Sequence, residues 1–309
     1  MQLPSHIREA IEARAHQVGF AALRGAAAAM SDAYRQGDLS ALARLPAADR
    51  MAAYLVTRMP ATYAAAYAVL GEVARRFGGA IGSILDIGAG AGAASLAAQH
   101  WFPQASIAMI ERDAAMAQAA REWLPDARSI VDDVTRIPLL PPHDLVMAAY
   151  SLGEFATDQA PRIWQAARAA MVAIEPGTPA GFALVRDIRS MLLASGAHML
   201  APCPGGMECP IEAPDWCHFS ARVERSALHR RLKAAELNYE DEKFSYIAVT
   251  REPVETAHAR IVRRPEHRPG LILLATCTPA GLAEARVTRR DRESFRAARQ
   301  ASWGDAWSG

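Results

Sequence analysis

Apolar and charged positions recur at helical spacing through the first 75 residues, and the pattern changes abruptly near Ile81. Before that point Ala, Leu and Met alternate with charged side chains, which predicts helices over 7–28 and 39–56. Pro60 suits a first helical turn and opens another helix over 61–77. Beyond Ile81 the apolar runs shorten into strands at 84–87, 106–110, 129–131, 144–149 and 181–185, with helical stretches such as 93–100 between several of them. Strand and helix alternating at this spacing predict a parallel sheet with helices on both faces, an α/β architecture. Two later apolar runs, 244–250 and 271–276, have no long crossover helix between them. They are expected to pair as an antiparallel edge closing the same sheet.

The pattern divides the chain into a helical region over 1–75, an α/β domain over 76–285 and a C-terminal tail over 286–309. Residues 201–217 are rich in Pro, Gly and Cys and read as an insertion in the α/β domain. No apolar run reaches membrane-span length, so no membrane partner is expected. The opening residues carry Glu9 and Glu12 and lack the features of a signal or transit peptide, which predicts a bacterial cytoplasmic protein.

Charge adds a regional bias. Residues 1–217 hold 17 basic and 21 acidic side chains, and residues 218–309 hold 17 and 12. Net charge is only +1, so the molecule as a whole exerts no strong pull on nucleic acid, and DNA is not an expected partner. The excess lies in the C-terminal arginines: Arg260, Arg263, Arg264 and Arg268, then Arg286, Arg289, Arg290, Arg292, Arg296 and Arg299. Guanidinium groups pair with phosphates in bidentate fashion, whereas a solvated helix face would use Asp291 and Glu293 as partners. Charge alone leaves both readings open.

The first candidate chemistry follows the strand at 84–87. Gly88, Gly90 and Gly92 alternate there, so the backbone can turn tightly and approach a ligand at a helix N-terminus. Gly88-x-Gly90-x-x-Ala93 also satisfies the dinucleotide fingerprint, with Glu111 about 20 residues on. The loop alone therefore fits a nicotinamide cofactor or S-adenosylmethionine. Asp86, two residues before the first glycine, makes the series Asp-x-Gly-x-Gly-x-Gly, which resembles the first motif of class I methyltransferases. In that fold Asp86 would hold the amino-acid end of S-adenosylmethionine and Glu111 the ribose hydroxyls. Asp132 or Asp133 would face the adenine amine. Tyr150, at the end of the fourth strand, joins this cofactor-binding set, while neither it nor its neighbours Ser151 and Glu154 can be assigned as a catalytic residue or general base.

The second candidate is the cysteine set. Cys203, Cys209 and Cys217 are spaced C-x5-C-x7-C, and Cys277 follows after 59 residues at the end of a predicted strand. Four thiolates suit tetrahedral zinc or an iron–sulfur cluster, and the spacing does not choose. Ala201-Pro202-Cys203-Pro204-Gly205 also resembles the nucleophilic segment of RNA cytosine-5 methyltransferases. That segment follows strand four, a place already taken here by Asp144 and its successors.

Longer runs resemble the methyltransferase-like proteins of the mitochondrial small ribosomal subunit and their bacterial relatives. They include Pro60-Ala61-Thr62-Tyr63-Ala64-Ala65, Ala149-Tyr150-Ser151-Leu152-Gly153-Glu154 and Ala201-Pro202-Cys203-Pro204. Asp215-Trp216-Cys217-His218-Phe219, Glu240-Asp241-Glu242-Lys243-Phe244-Ser245-Tyr246 and Arg286-Val287-Thr288-Arg289-Arg290-Asp291 continue the series. The resemblance implies a class I S-adenosylmethionine-dependent methyltransferase fold and a [4Fe–4S] cluster on Cys203, Cys209, Cys217 and Cys277. It further implies a role in assembly of the small ribosomal subunit, with Arg263, Arg264, Arg286, Arg289, Arg290 and Arg296 on ribosomal RNA. An active RNA methyltransferase, or a zinc-bearing small-molecule methyltransferase without an RNA role, are the alternatives.

Overall fold

The computed structural model describes residues 1–36, 39–155, 159–205 and 208–308. The helical region is built from α1 (Ser5–Val18), α2 (Phe20–Gln36), α3 (Ala47–Thr57) and α4 (Met59–Arg76). The expected helix over 7–28 is two helices, because Gly19 takes a left-handed backbone with φ of 83° and ends α1. The expected helix over 39–56 is a short 3-10 turn, Leu39–Arg44, followed by α3 after Pro46.

Next come β1 (Ser83–Ile87), α5 (Ala93–Trp101), β2 (Ser106–Glu111), α6 (Ala114–Trp123), β3 (Arg128–Val131) and β4 (His143–Ala149). They are followed by α7 (Gln159–Ala166), β5 (Ala167–Pro176), α8 (Pro179–Ala194), β6 (His198–Ala201), β7 (Phe219–Glu224), α9 (Ala227–Leu232) and β8 (Tyr239–Thr250). The fifth strand is thus β5, not 181–185. That stretch is the first part of α8, which Thr178 caps through the Gly181 amide, with Pro179 in its first turn. β5 itself is rich in Ala and buried along most of its length, so it lacks the polar alternation that marks a half-exposed strand.

The large sheet runs β3-β2-β1-β4-β5-β8-β6. β3, β2, β1, β4 and β5 are parallel, and β8 enters antiparallel between β5 and β6. Two apolar layers cover its faces. One joins α4 and α5 to residues such as Ile84, Met109 and Val172; the other holds Leu85, Ile110, Trp164 and Ile188. α1 is bolted to α6 by the Arg14–Glu122 ion pair at 2.9 Å.

Along its outer side β8 pairs with two strands in succession. β7 takes Tyr239–Phe244, and β6 takes Ala248 to Thr250. The cysteine-rich loop leaves β6 and re-enters at β7, so it lies beside the stretch of β8 that neither strand pairs. There the Ser245 hydroxyl donates to the Cys217 carbonyl at 2.7 Å.

The remaining elements are β9 (Ala259–Ile261), β10 (Glu266–Arg268), β11 (Leu271–Thr278), β12 (Gly281–Thr288), α10 (Arg292–Gln300) and β13 (Ala306–Trp307). Their strands form a second sheet, with α10 packed on Ile272, Leu274 and Val287. β11 therefore does not close the large sheet; it pairs with β9, β10 and β12. Residues 286–308, expected as a tail, complete β12 and supply α10 and β13. Among the described residues no helix is long and apolar enough to cross a membrane.

Candidate functional site

The carboxyl ends of β1, β2 and β4 border a cavity of about 260 Å³. Gly88, Gly90 and Gly92 have φ of 67°, 55° and 80°, all in the left-handed region. A Cβ on Gly88 would stand 2.5 Å from the Cβ of Ser151, so the loop leaves no room for a side chain there. Asp86 lies beneath it, 1% exposed. Its Oδ2 accepts the Ser95 hydroxyl at 2.7 Å, while Oδ1 is buried and has no partner among the described residues. Burial pushes this carboxyl up to about 7, and Glu111 adds to the rise. A buried carboxylate oxygen lacking a donor is matched by an ammonium group.

Glu111, half-buried at the end of β2, accepts the Gly90 amide at 2.8 Å and the Asp113 amide at 2.7 Å, one on each oxygen. Each carboxylate oxygen has a second lone pair, so capacity for hydroxyl donors remains. Asp132 and Asp133 both line the cavity but differ in role. Asp133 caps a short 3-10 turn through the Thr135 amide and hydroxyl, at 2.9 and 2.7 Å. Asp132 is exposed at the rim and accepts the Asp133 amide at 2.7 Å. Tyr150 has φ of 59°, uncommon for a bulky residue, and its hydroxyl donates to Glu242 at 2.9 Å. Burial raises the Tyr150 hydroxyl well above its usual value, and Glu242 reinforces this.

Sequence reasoning missed several walls of this cavity. Arg50, Tyr54 and Arg58 come from the helical region, four residues apart, so one face of α3 and its C-terminal cap covers the cleft. Arg50 reaches Asp113 at 3.4 Å, and Arg112 holds Glu154 at 2.7 Å. Glu175, 4% exposed at the end of β5, accepts the Leu152 amide at 2.9 Å and fixes the loop after β4. The four-residue spacing of polar side chains on an otherwise apolar helix was the available signal for the first three.

Cys203, Cys209, Cys217 and Cys277 line a second cavity of about 360 Å³. The loop after β6 supplies three and β11 of the second sheet the fourth. All four are free and half-buried. Burial raises the Cys217 thiol well above its usual value, and the other three cysteines add to it. Cys277 is pushed up to about 11 by burial and by Cys203 and Cys209. Among the described residues no group of three or more His, Cys, Asp or Glu is disposed to hold a single metal ion. A four-cysteine metal site of the kind expected from the spacing is therefore not seen as such; four thiols surround one cavity.

The six arginines expected on RNA all fall in or beside the second sheet. Arg286 pairs with Glu284 at 3.2 Å on β12, and Arg289 lies 5.9 Å from the Phe295 ring. Arg264, Arg290 and Arg296 are exposed. Arg263 pairs with Asp215 of the cysteine loop. Arg260, grouped with them in the sequence, is buried at 1% exposure and faces inward.

An open α/β sheet with one antiparallel strand, a glycine loop and acids at successive strand ends defines a methyltransferase-like protein. Residues 48–308 match the family described as "Mitochondrial small ribosomal subunit Rsm22", and the chain belongs to that family. The human protein named "Ribosome assembly protein METTL17, mitochondrial" is 27% identical over 283 residues, covering 82% of this chain and 61% of that protein. "Rsm22-cox11 tandem protein 2, mitochondrial" of Schizosaccharomyces pombe is 24% identical over 324 residues, covering 82% of this chain and 42% of that protein. The chain thus spans less than two thirds of the length of either relative. Similar solved structures include the plantazolicin methyltransferase BpumL in complex with SAH, at TM-score 0.44 and 13% identity over 80% of this chain and 100% of that one. Precorrin-6y C5,15-methyltransferase from Geobacter metallireducens has TM-score 0.40 and 15% identity over 60% of this chain and 86% of that one. The expectation of a bacterial cytoplasmic protein is overturned by the family and these relatives, which are mitochondrial. Acidic residues near the start of a chain are too weak a signal to assign a compartment.

Proposed function

We propose that this protein binds S-adenosylmethionine in the glycine-loop cleft and acts on the small ribosomal subunit during its assembly. The observation that carries the cofactor reading is Asp86 Oδ1, buried at the floor of the cleft and without a donor among the described residues. The methionine ammonium of the cofactor would supply the missing donor. Glu111 would take the ribose hydroxyls beside the Gly90 amide, and Asp132 at the rim would face the adenine amine. Asp133 and Tyr150 shape the walls, one as a turn cap and the other through Glu242. Membership of a small-subunit family and the names of the relatives support the ribosomal role.

The four cysteines would hold a [4Fe–4S] cluster. Each thiolate of a cubane binds a different iron, so the thiols stand around a volume instead of converging on one point. Four thiols lining one cavity of about 360 Å³ support that donor set. When bound, the cluster supplies four covalent anchors between the cysteine loop and β11. Arg263, Arg264, Arg286, Arg289, Arg290 and Arg296 would contact ribosomal RNA.

Two measurements test this. Equilibrium dialysis with labelled S-adenosylmethionine should show saturable binding that Gly90→Arg removes, since a Cβ there already stands 3.1 Å from the Tyr54 hydroxyl oxygen. Sedimentation with isolated small subunits should show salt-sensitive association. Absence of both would end the proposal. Transfer of labelled methyl to small-subunit RNA, lost in Gly90→Arg, would make the protein an active RNA methyltransferase.

A further inference from the structure

Two arginines beside the cysteine cavity are almost wholly removed from solvent: Arg189 on α8, 3% exposed, and Arg260 on β9, 1% exposed. Burying a guanidinium is costly unless its surroundings compensate, so what each one faces is informative. Arg260 donates through Nε to the Pro202 carbonyl at 2.9 Å, next to Cys203. Its Nη1 donates to Glu72 at 2.9 Å and to the Gly304 carbonyl at 2.8 Å. Its Nη2 is buried with no partner among the described residues. In the β9–β11 ladder Arg260 stands opposite Cys277. Arg189 lines the same cavity as Cys203 and Cys277, and its positive charge acts on both thiols.

Around Arg260 the described charges do not cancel. Among the described residues Glu72 is the only carboxylate bonded to Arg260, and it is shared with Arg75 at 2.8 Å and Arg76 at 3.0 Å. One negative charge thus serves three guanidiniums. Among the groups lining the cavity, Arg186 adds another cation, while Glu208 and Glu212 are exposed at the rim. Four neutral thiols do not balance this excess; four thiolates around a metal–sulfide core, carrying net negative charge, do.

We propose that Arg189 and Arg260 are positioning residues for an anionic thiolate-ligated group, stabilising its negative charge and raising its reduction potential. This rests on the cluster reading above. Reduction adds one more negative charge to the cluster, and two buried cations favour that state over the oxidised one.

The test uses full-length protein purified without oxygen, as wild type, Arg189→Met, Arg189→Lys and Arg260→Lys. Iron and sulfide are assayed, and the midpoint potential is followed by visible absorbance during titration with dithionite and mediators. Release of iron to a chelator is timed alongside. Arg189→Met should take up the cluster with a more negative potential and faster release. Arg189→Lys, which keeps the charge, should return most of the way to wild type. Arg260→Lys, which also keeps the charge, should likewise stay close to the wild-type potential. An Arg189→Met protein with wild-type potential and release rate would overturn the proposal. So would loss of the cluster in Arg189→Met that Arg189→Lys fails to reverse, because packing and not charge would then be responsible. A wild-type protein that binds neither iron nor sulfide would instead remove the cluster reading, and this proposal with it.

Discussion

The cleft and the cysteine cavity are similar in scale and opposite in character. The cleft is walled by carboxylates, each at or next to the carboxyl end of a strand: Asp86 in β1, Glu111 at the end of β2, Asp132 after β3. The cavity is walled by thiols and guanidiniums from α8, the loop after β6, β9 and β11, which meet only because two sheets come together. A parallel sheet builds the first site by local rules. The second depends on contacts between residues far apart in the chain, and this makes it the more fragile of the two.

The largest expected effect separates the sites outright. Cys217→Ser should abolish iron and sulfide uptake while S-adenosylmethionine binding stays near wild type, since a serine oxygen does not replace a thiolate on a soft metal. Loss of both by the same substitution would mean that the two regions form one cooperative unit. Gly88→Val is the reciprocal experiment. A side chain at φ of 67° with its Cβ 2.5 Å from Ser151 should cost about 3 kcal/mol and remove cofactor binding, leaving iron content unchanged. Urea melts and dialysis on the same preparation check both halves.

A stability effect of the same order, without loss of cofactor binding, is expected at the salt bridge behind the cysteines. Burial alone would raise the Glu72 carboxyl, but Arg260, Arg75 and Arg76 bring it from the usual 4.5 down to about 2. A carboxyl depressed in the folded state contributes stability that is present above 4.5 and lost as pH falls towards 2. Glu72→Gln should therefore cost about 3 kcal/mol near neutrality and flatten that acid limb, as read from chemical denaturation between pH 2 and 5. Asp86 has the opposite sign. Burial raises it from 3.8 to about 7, so its ionisation opposes folding as pH climbs between those values. Its carboxylate form is the one an ammonium group needs. Cofactor affinity should therefore fall by up to about tenfold for each pH unit below 7, with Asp86→Asn removing the dependence. Calorimetric titration at pH 6 and 8 decides it; equal affinities would separate Asp86 from the ammonium.

The same contrast explains what was legible in the sequence. The glycine loop, Asp86 and Glu111 could be read because a strand, a turn and a helix start follow one another within a few residues. The fifth strand was missed: β5 is Ala-rich and buried, and tertiary packing overrides the weak strand propensity of alanine. The cysteines were found by residue type, but their partner sheet was not, because nothing in the run Leu271–Thr278 states which strand it will pair with. Arg189 stands at a core position of an amphipathic helix and Arg260 between Ala259 and Ile261 in a buried strand. An arginine amid apolar neighbours was the signal, and it was masked in Arg260 by the basic residues that follow.

Those following residues give the smallest effect and the sharpest contrast with Arg260. Arg286 and Arg296 are exposed, and the Arg286–Glu284 pair has more than half of each side chain in solvent, at 64% and 53%. An exposed pair of this kind contributes little to stability, so Arg286→Ala and Arg296→Ala should leave the melting temperature unchanged. If these side chains meet phosphates, each substitution should weaken binding to small-subunit RNA evenly across sequences and lower the salt slope by about one. Arg260→Ala should do the reverse. It uncovers Glu72, frees the Pro202 and Gly304 carbonyls, and leaves the neighbourhood of Cys277 without its cation, so it should lower the melting temperature and the iron content together. A titration of RNA binding against salt for Arg286→Ala and Arg260→Ala, each beside its melting curve, tells surface readout from buried support. Equal salt slopes for wild type and Arg286→Ala would remove β12 from the RNA interface.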